Sequence, residues 1–183
     1  MTNIAILASY NGSGFDALYK SSLDINIVLV ISNNSDAKAL SRADSYNIDN
    51  FVVNSKTSPN PDKTIEELLI QYECEYLFLS GYMKKLSAVL TQQFKIINSH
   101  PALLPNYGGK GMFGSHIHEA VVNAKEPFSG VTIHEVNENF DEGKIILQEK
   151  ISLVDGEDAQ SLEKKIKELE AGTIVKGFEL CLK

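Results

Sequence analysis

Asn98, Ser99, His100 and Pro101, with Asp141 further along the chain, supply an amide, an imidazole and a carboxylate. Such a set can polarise an acyl carbonyl, deliver a proton and keep the imidazole charged, which is the chemistry of acyl transfer. Asn98 and His100 are two apart, so a continued extended backbone turns both side chains to one side. Pro101 biases His100 toward the extended region and helps fix its direction. Asp141 lies in the turn Asn139-Phe140-Asp141-Glu142-Gly143, and a carboxylate close to an imidazole favours its protonated form and orients it. A lone histidine after a strand is more often a hydrogen-bonded loop residue; the company of Asn98 and Asp141 is what favours catalysis.

The elements that must position these groups read as alternating strands and helices. Apolar runs at 3–9, 25–32, 51–53, 76–79 and 95–98 predict strands, and 15–20, 36–46 and 64–72 predict helices, the second behind an Asn-Asn-Ser cap signal. This alternation predicts an α/β fold, Rossmann-like, with a mostly parallel central sheet flanked by helices. Asn98 then stands at the carboxyl end of a strand, where open α/β sheets bind ligands. A turn-rich loop follows over 101–114, and its glycines 108, 109, 111 and 114 predict mobility. Beyond it come a helix over 115–124, strands over 130–136 and 144–152, and a long helix over 159–182. Neither a linker nor a repeat interrupts the chain, so residues 1–183 read as one domain.

Asn11-Gly12-Ser13-Gly14 joins the first strand to the first helix, where glycines admit a close ligand and free amides attract an anion. The same four residues also suit an ordinary turn with Ser13 as N-cap. They do not complete the dinucleotide fingerprint Gly-x-Gly-x-x-Gly. The net charge of −7 and the lack of a basic run argue against a nucleic-acid partner. Nothing of transmembrane length occurs, and the N-terminus enters a strand with no basic region ahead of an apolar stretch, so a cytoplasmic protein without membrane contact is expected. Cys74 and Cys181 form no Cys-x-x-Cys motif and read as plain thiols. His116 and His118 would face different directions on a helix and lack a completing ligand, so no metal site is expected. His134, in an alternating strand, reads as packing near the site or satisfying a core hydrogen bond.

The stretch from Ile97 to Pro105, the strand Gly130-Val131-Thr132-Ile133-His134 and the segment Phe140-Asp141-Glu142-Gly143-Lys144-Ile145-Ile146 closely resemble the folate-dependent formyltransferases. Within that family the likeness is nearest to the branch acting on phosphoribosylglycinamide in purine synthesis. The resemblance implies transfer of a formyl group from 10-formyltetrahydrofolate to the amine of 5'-phosphoribosylglycinamide. It makes Asn98 and His100 the catalytic amide and proton donor, and Asp141 the carboxylate that raises the His pKa. It assigns Gly12, Ser13 and Gly14, supported by Asn11, to the ribonucleotide phosphate, although Tyr10 and Gly14 stand where the family more usually has Gly and Asn.

Further along, Gly81-Tyr82-Met83-Lys84-Lys85-Leu86 resembles the segment lining the pterin pocket, with Met83 and Leu86 as walls beside Lys84 and Lys85. Taken alone, it also reads as a helix start with Met83 and Leu86 in the core and two solvated lysines. The resemblance puts Asn137, Glu138, Asn139, Phe140 and Asp141 on the other side of the pocket, and Lys63 nearest to the folate acid tail. Glu170 aligns with an acid that contacts the ribonucleotide amine or ribose, but the His and Tyr-Pro that often accompany it are replaced by Ala171, Ile174 and Val175. A solvated face of Glu163, Lys164, Lys167 and Glu170 explains the same residue equally.

Other acceptors within this chemistry are an amino sugar nucleotide, initiator methionyl-tRNA or water. The tRNA enzyme and the deformylase carry an additional domain for which 183 residues leave no room, and the acidic charge also disfavours tRNA. The amino sugar nucleotide stays open. A non-catalytic folate- or nucleotide-binding module would explain the loop and the pocket, but gives Asn98, His100 and Asp141 no reason to occur together.

Overall fold

Ile4, Ala5, Ile6 and Leu7 are completely buried, on both faces of their strand, as a parallel strand covered by helices requires. In the computed structural model, which describes residues 1–183 throughout, these residues belong to β1 (Thr2–Leu7). The chain forms two compact units, Met1–Asn98 and Ser99–Lys183.

In the first unit β1 is followed by α1 (Ser13–Tyr19), β2 (Ile25–Ser32), α2 (Lys38–Ser45), β3 (Asp49–Val52), α3 (Pro61–Gln71), β4 (Tyr76–Leu79) and α4 (Ala88–Gln93). The unit then enters β5 (Lys95–His100), whose last two residues belong to the second unit. All pairings among β1–β5 are parallel, in the order β3-β2-β1-β4-β5. Helices bury one face each, with Phe15 and Leu18 from α1, Ala39 and Ala43 from α2, and Ile65 and Leu69 from α3. At the start of α3, Asn60 accepts from the Lys63 N–H at 3.2 Å with Pro61 in the first turn.

Two local expectations are corrected. The Asn-Asn-Ser stretch does not cap α2; its N-cap is Ala37, without a side-chain bond, because the Asn34 side chain accepts instead from the Asp36 N–H at 3.1 Å and makes a turn. The helix start read at 81–86 is also misplaced: helix α4 begins only at Ala88, and with Leu90 alone buried on it no periodicity marks its place.

The second unit comprises the end of β5, α5 (Ser115–Asn123), β6 (Phe128–Glu135), β7 (Ile145–Ser152) and α6 (Ala159–Cys181). β6 and β7 pair antiparallel. Ser129 to His134 are all buried, whereas β7 keeps one face toward solvent. Helix α6 lies against β6 with Gly177 at the point of closest approach, where a Cβ would sit 2.8 Å from Ile133 Cγ2. Its first turn is capped by Asp158, which accepts from the Ser161 N–H at 2.7 Å.

Candidate active site

β5 carries Ile96 and Ile97 into the core and then changes character: Asn98 and Ser99 are half-exposed, and His100 is only 4% exposed. The strand continues through His100, so the extended backbone expected from Pro101 is present, with Asn98 and His100 on one side and Ser99 on the other. Asn98 lies opposite Leu79 of β4 in the parallel register.

Asp141 is brought to His100 by the β6–β7 connection. Its Oδ2 lies 3.7 Å from His100 Nδ1, and its Oδ1 lies 3.6 Å from His134 Nε2, so one carboxylate stands between two imidazoles. His134 occupies both roles open to it from sequence: it is buried beside the site, and its Nδ1 donates to the Glu135 carbonyl at 2.8 Å. The β6–β7 register shifts between Ile133 and His134, and such a bulge re-aims the side chain that follows it.

Residues 104–109 of the 101–114 loop are held by several hydrogen bonds. Leu104 N–H donates to Thr132 Oγ1 at 3.1 Å, Gln148 Nε2 donates to the Leu104 carbonyl at 2.8 Å, and the Tyr107 hydroxyl donates to Glu126 at 2.7 Å. Gly109 N–H donates to Asp141 Oδ2 at 2.8 Å. At Gly108 a Cβ would lie 2.5 Å from Leu104 Cδ2 and 3.2 Å from Asp141 Cβ, so this glycine serves close packing. His100 Nε2 lies 2.8 Å from the Tyr107 carbonyl oxygen, and because a carbonyl only accepts, that nitrogen carries the proton.

Burial lowers the His100 pKa below its ordinary 6.5, and although Asp141 and the Tyr107 carbonyl pull it up, burial and the neighbouring His134 prevail. The expectation that Asp141 keeps His100 charged is therefore corrected: Asp141 acts in the expected direction, but desolvation of a nearly enclosed ring outweighs it. For Asp141 burial favours the neutral acid, and His134, His100 and the Gly109 N–H reverse this, holding the carboxyl below its usual range. The site at neutral pH is a carboxylate beside a neutral imidazole.

His118, on α5, is also buried, and its Nδ1 has no hydrogen-bond partner. Burial lowers its pKa too, with Glu163 opposing and Lys167 and His100 assisting. His116 is exposed on the same helix. For both lowered histidines the unfolded chain takes up the proton first, so their contribution to stability is intact above the ordinary 6.5 and is lost as pH falls through and below it. Asp141 adds a loss only below its ordinary 3.8. Glu170, whose pKa burial raises from 4.5, acts in the opposite sense, favouring the folded state as it protonates. The melting temperature is expected to hold steady from about pH 7 to about pH 8, to fall as pH drops through the histidine range, and to fall again at alkaline pH, where burial pushes Cys74 up to about 11 and Tyr82 up to about 12. His118→Gln should flatten the fall through the histidine range, as followed by thermal denaturation across pH; an unchanged slope would contradict the assignment.

Of the other sequence-derived residues, Gly12 is the N-cap of α1 in the left-handed conformation (φ 60°, ψ 47°). The ordinary-turn reading with Ser13 as cap is thereby corrected, since Ser13 is already helical and makes no capping bond. Arg42, the sole arginine, donates to the Gly12 carbonyl at 3.0 Å. Asn11 and Ser13 are exposed at this loop, and Gly14 is buried.

In the same unit Lys63, Lys84 and Lys85 line a cavity of about 870 Å³, together with Asn60, Tyr82 and Lys56. Leu86 is buried and Met83 is 40% exposed, so Met83 is not a core residue, while Met83 N–H donates to Ser9 Oγ at 2.8 Å. Asn137, Glu138, Asn139 and Phe140 lie on the β6–β7 connection, where the Asn137 side chain accepts from the Asn139 N–H at 2.9 Å. Glu170 is not simply a solvated residue: it is half-buried on α6 and accepts from Ser99 Oγ at 2.6 Å. Tyr107 and Gly109 act through backbone atoms, which no residue type signals, and the Ser99 hydroxyl finds its partner far along the chain.

The formyl transferase family model matches residues 2–177. The chain is 33% identical over 173 residues to the chloroplastic phosphoribosylglycinamide formyltransferase of Arabidopsis thaliana, covering 89% of this chain and 59% of that protein. It therefore spans somewhat over half the length of the plant relative. It is also 33% identical over 179 residues to phosphoribosylglycinamide formyltransferase of Bacillus subtilis (strain 168), covering 93% of this chain and 89% of that one. Among solved structures, phosphoribosylglycinamide formyltransferase from Anaplasma phagocytophilum superposes with a TM-score of 0.89 at 33% identity, covering 98% of this chain and 86% of the other.

Proposed function

The chain belongs to the formyl transferase family, and we propose that it transfers the formyl group of 10-formyltetrahydrofolate to the amine of 5'-phosphoribosylglycinamide, a step of purine synthesis. The observation that carries this reading is the Asp141 carboxylate set between the rings of His100 and His134, with Asn98 on the strand that bears His100. Residues 1–183 act as one formyltransferase domain in this proposal, on small-molecule substrates and in the cytoplasm.

10-Formyltetrahydrofolate supplies the formyl carbon as electrophile and N10 as leaving group. Asn98 donates its side-chain N–H to the formyl oxygen as negative charge develops there. His100 donates through Nε2, exchanging its bond to the Tyr107 carbonyl for the substrate oxygen. The amine forms its bond to the formyl carbon and loses a proton, which the Asp141 carboxylate hands on to Nδ1 of His100. Nδ1 of His100, facing Asp141, takes up a proton as Nε2 releases one to N10 and the carbon–N10 bond breaks, so the ring ends neutral. Asp141, already held as the carboxylate, stabilises the passing imidazolium.

Asn11, Gly12, Ser13 and Gly14 hold the ribonucleotide phosphate, and Glu170 contacts its amine or ribose. Met83, Lys84, Lys85, Leu86 and Asn98 of the first unit, and Asn137, Glu138, Asn139, Phe140 and Asp141 of the second, are assigned to contacts with the formyl-folate, with Lys63 assigned to its acid tail. Four lysines, Lys56, Lys63, Lys84 and Lys85, outnumber the two acids, Asp62 and Glu66, in the lining of the cavity beside Lys63, which favours an acidic ligand there.

The proposal is tested by following folate product formation with 10-formyltetrahydrofolate and phosphoribosylglycinamide together, and then with an amino sugar nucleotide in place of the latter. Turnover that depends on phosphoribosylglycinamide is the expected result. Turnover only with the amino sugar nucleotide would reassign the acceptor, and binding of both ligands without turnover would make the protein a binding module.

A further inference from the structure

The strand that presents Asn98 and His100 on one side presents Ser99 on the other, and Ser99 is bonded to the acid assigned to the acceptor. Ser99 Oγ donates to Glu170 Oε1 at 2.6 Å, joining β5 to α6 across 71 positions of sequence. A hydroxyl bound to a carboxylate is among the stronger hydrogen bonds, and its geometry restricts the acid to few orientations. We propose that Ser99 is the positioning residue for Glu170, holding one carboxylate oxygen so that the other faces the ribonucleotide acceptor. This inference rests on the acceptor reading given above.

Three observations support it. Glu170 is half-buried and long-chained, so without a partner its carboxyl would have several rotamers to choose from. Burial works against its ionised form, and the Ser99 hydroxyl and the charge of Lys167, earlier on α6, are the influences favouring the carboxylate. Lys167 bears on Glu170 only through charge and is itself bonded to Glu163. The Ser99 hydroxyl is thus the group that fixes direction, and it does so from the backbone that fixes Asn98 and His100. One strand end then sets the spacing between the proton donor and the acceptor's acid.

Ser99→Ala separates this role from mere packing. Loss of a hydrogen bond to a charged group predicts a KM for phosphoribosylglycinamide about tenfold higher. The KM for 10-formyltetrahydrofolate should stay unchanged, with a smaller change in kcat. Ser99→Thr, which keeps the hydroxyl, should recover most of the loss. Combined with Glu170→Gln, Ser99→Ala should add little to the effect of Glu170→Gln alone, since it acts through that acid. Equal effects on both KM values, no rescue by threonine, or full additivity with Glu170→Gln would overturn the proposal, as would an unchanged KM for the acceptor. If the unsubstituted protein turns over phosphoribosylglycinamide and Ser99→Ala behaves like it, only this inference fails. If the unsubstituted protein does not turn it over, the acceptor reading falls and this inference with it.

Discussion

His100→Ala is expected to lower kcat by about 10³-fold, within the range for losing a general acid or an oxyanion donor, while leaving the fold in place. The ring is the group that both donates toward the developing charge and passes a proton on to N10, so its removal takes two contributions at once. Its Nε2 proton is held in a hydrogen bond to the Tyr107 carbonyl, and His134 Nδ1 is engaged by the Glu135 carbonyl. The substitution also leaves a cavity in a buried position, which costs some stability. Steady-state turnover read beside a thermal melt separates the two effects. A folded His100→Ala protein with near-normal kcat would show that His100 is structural.

Asp141→Asn is expected to lower kcat by about 10²-fold, comparable with removing one electrostatic stabiliser of the transition state. The substitution keeps the shape and leaves an oxygen to accept the Gly109 N–H, so the loop bond at 2.8 Å can persist. What disappears is the charge that raises the proton affinity of His100 against the burial that lowers it. The His100 pKa should therefore fall further, because the remaining influences are desolvation and His134 against a single backbone carbonyl. An NMR titration of the His100 ring carbons in the two proteins measures this directly. A His100 titration that is unmoved or shifted upward would remove Asp141 from the account, whatever the rate.

The parallel strands were legible in the sequence because burial on both faces turns each into an apolar run, as in Ile4 to Leu7. Asn98 and His100 were legible because polar residue types end an apolar strand run, and Asp141 because it is an acid in the turn between two later strands. Other features had no comparable signature. Helix α4 is six residues long with one buried side chain, too little for a period to show. Tyr107 and Gly109 contribute a carbonyl and an amide, groups that every ordinary residue carries. The Ser99–Glu170 bond joins positions 71 apart, and nothing local in either segment indicates the other.

The protonation of His100 is not legible in the sequence for a related reason. A carboxylate near an imidazole can be inferred from spacing, but the depth of enclosure depends on how β6, α5 and the 101–114 loop close around the ring. That enclosure decides the sign of the shift. The 101–114 loop itself reads as mobile from its glycine content, yet Gly108 is there because Leu104 and Asp141 leave no room for a side chain.

The claim that the site moves a formyl group onto an amine is tested most directly by the fate of an isotopically labelled formyl carbon. With labelled 10-formyltetrahydrofolate and phosphoribosylglycinamide, the label is predicted to appear on the ribonucleotide's amide nitrogen in step with tetrahydrofolate release, and to stay on the folate when His100 is replaced by alanine. Label recovered as free formate, or transfer to the ribonucleotide that proceeds equally well without His100, would contradict it.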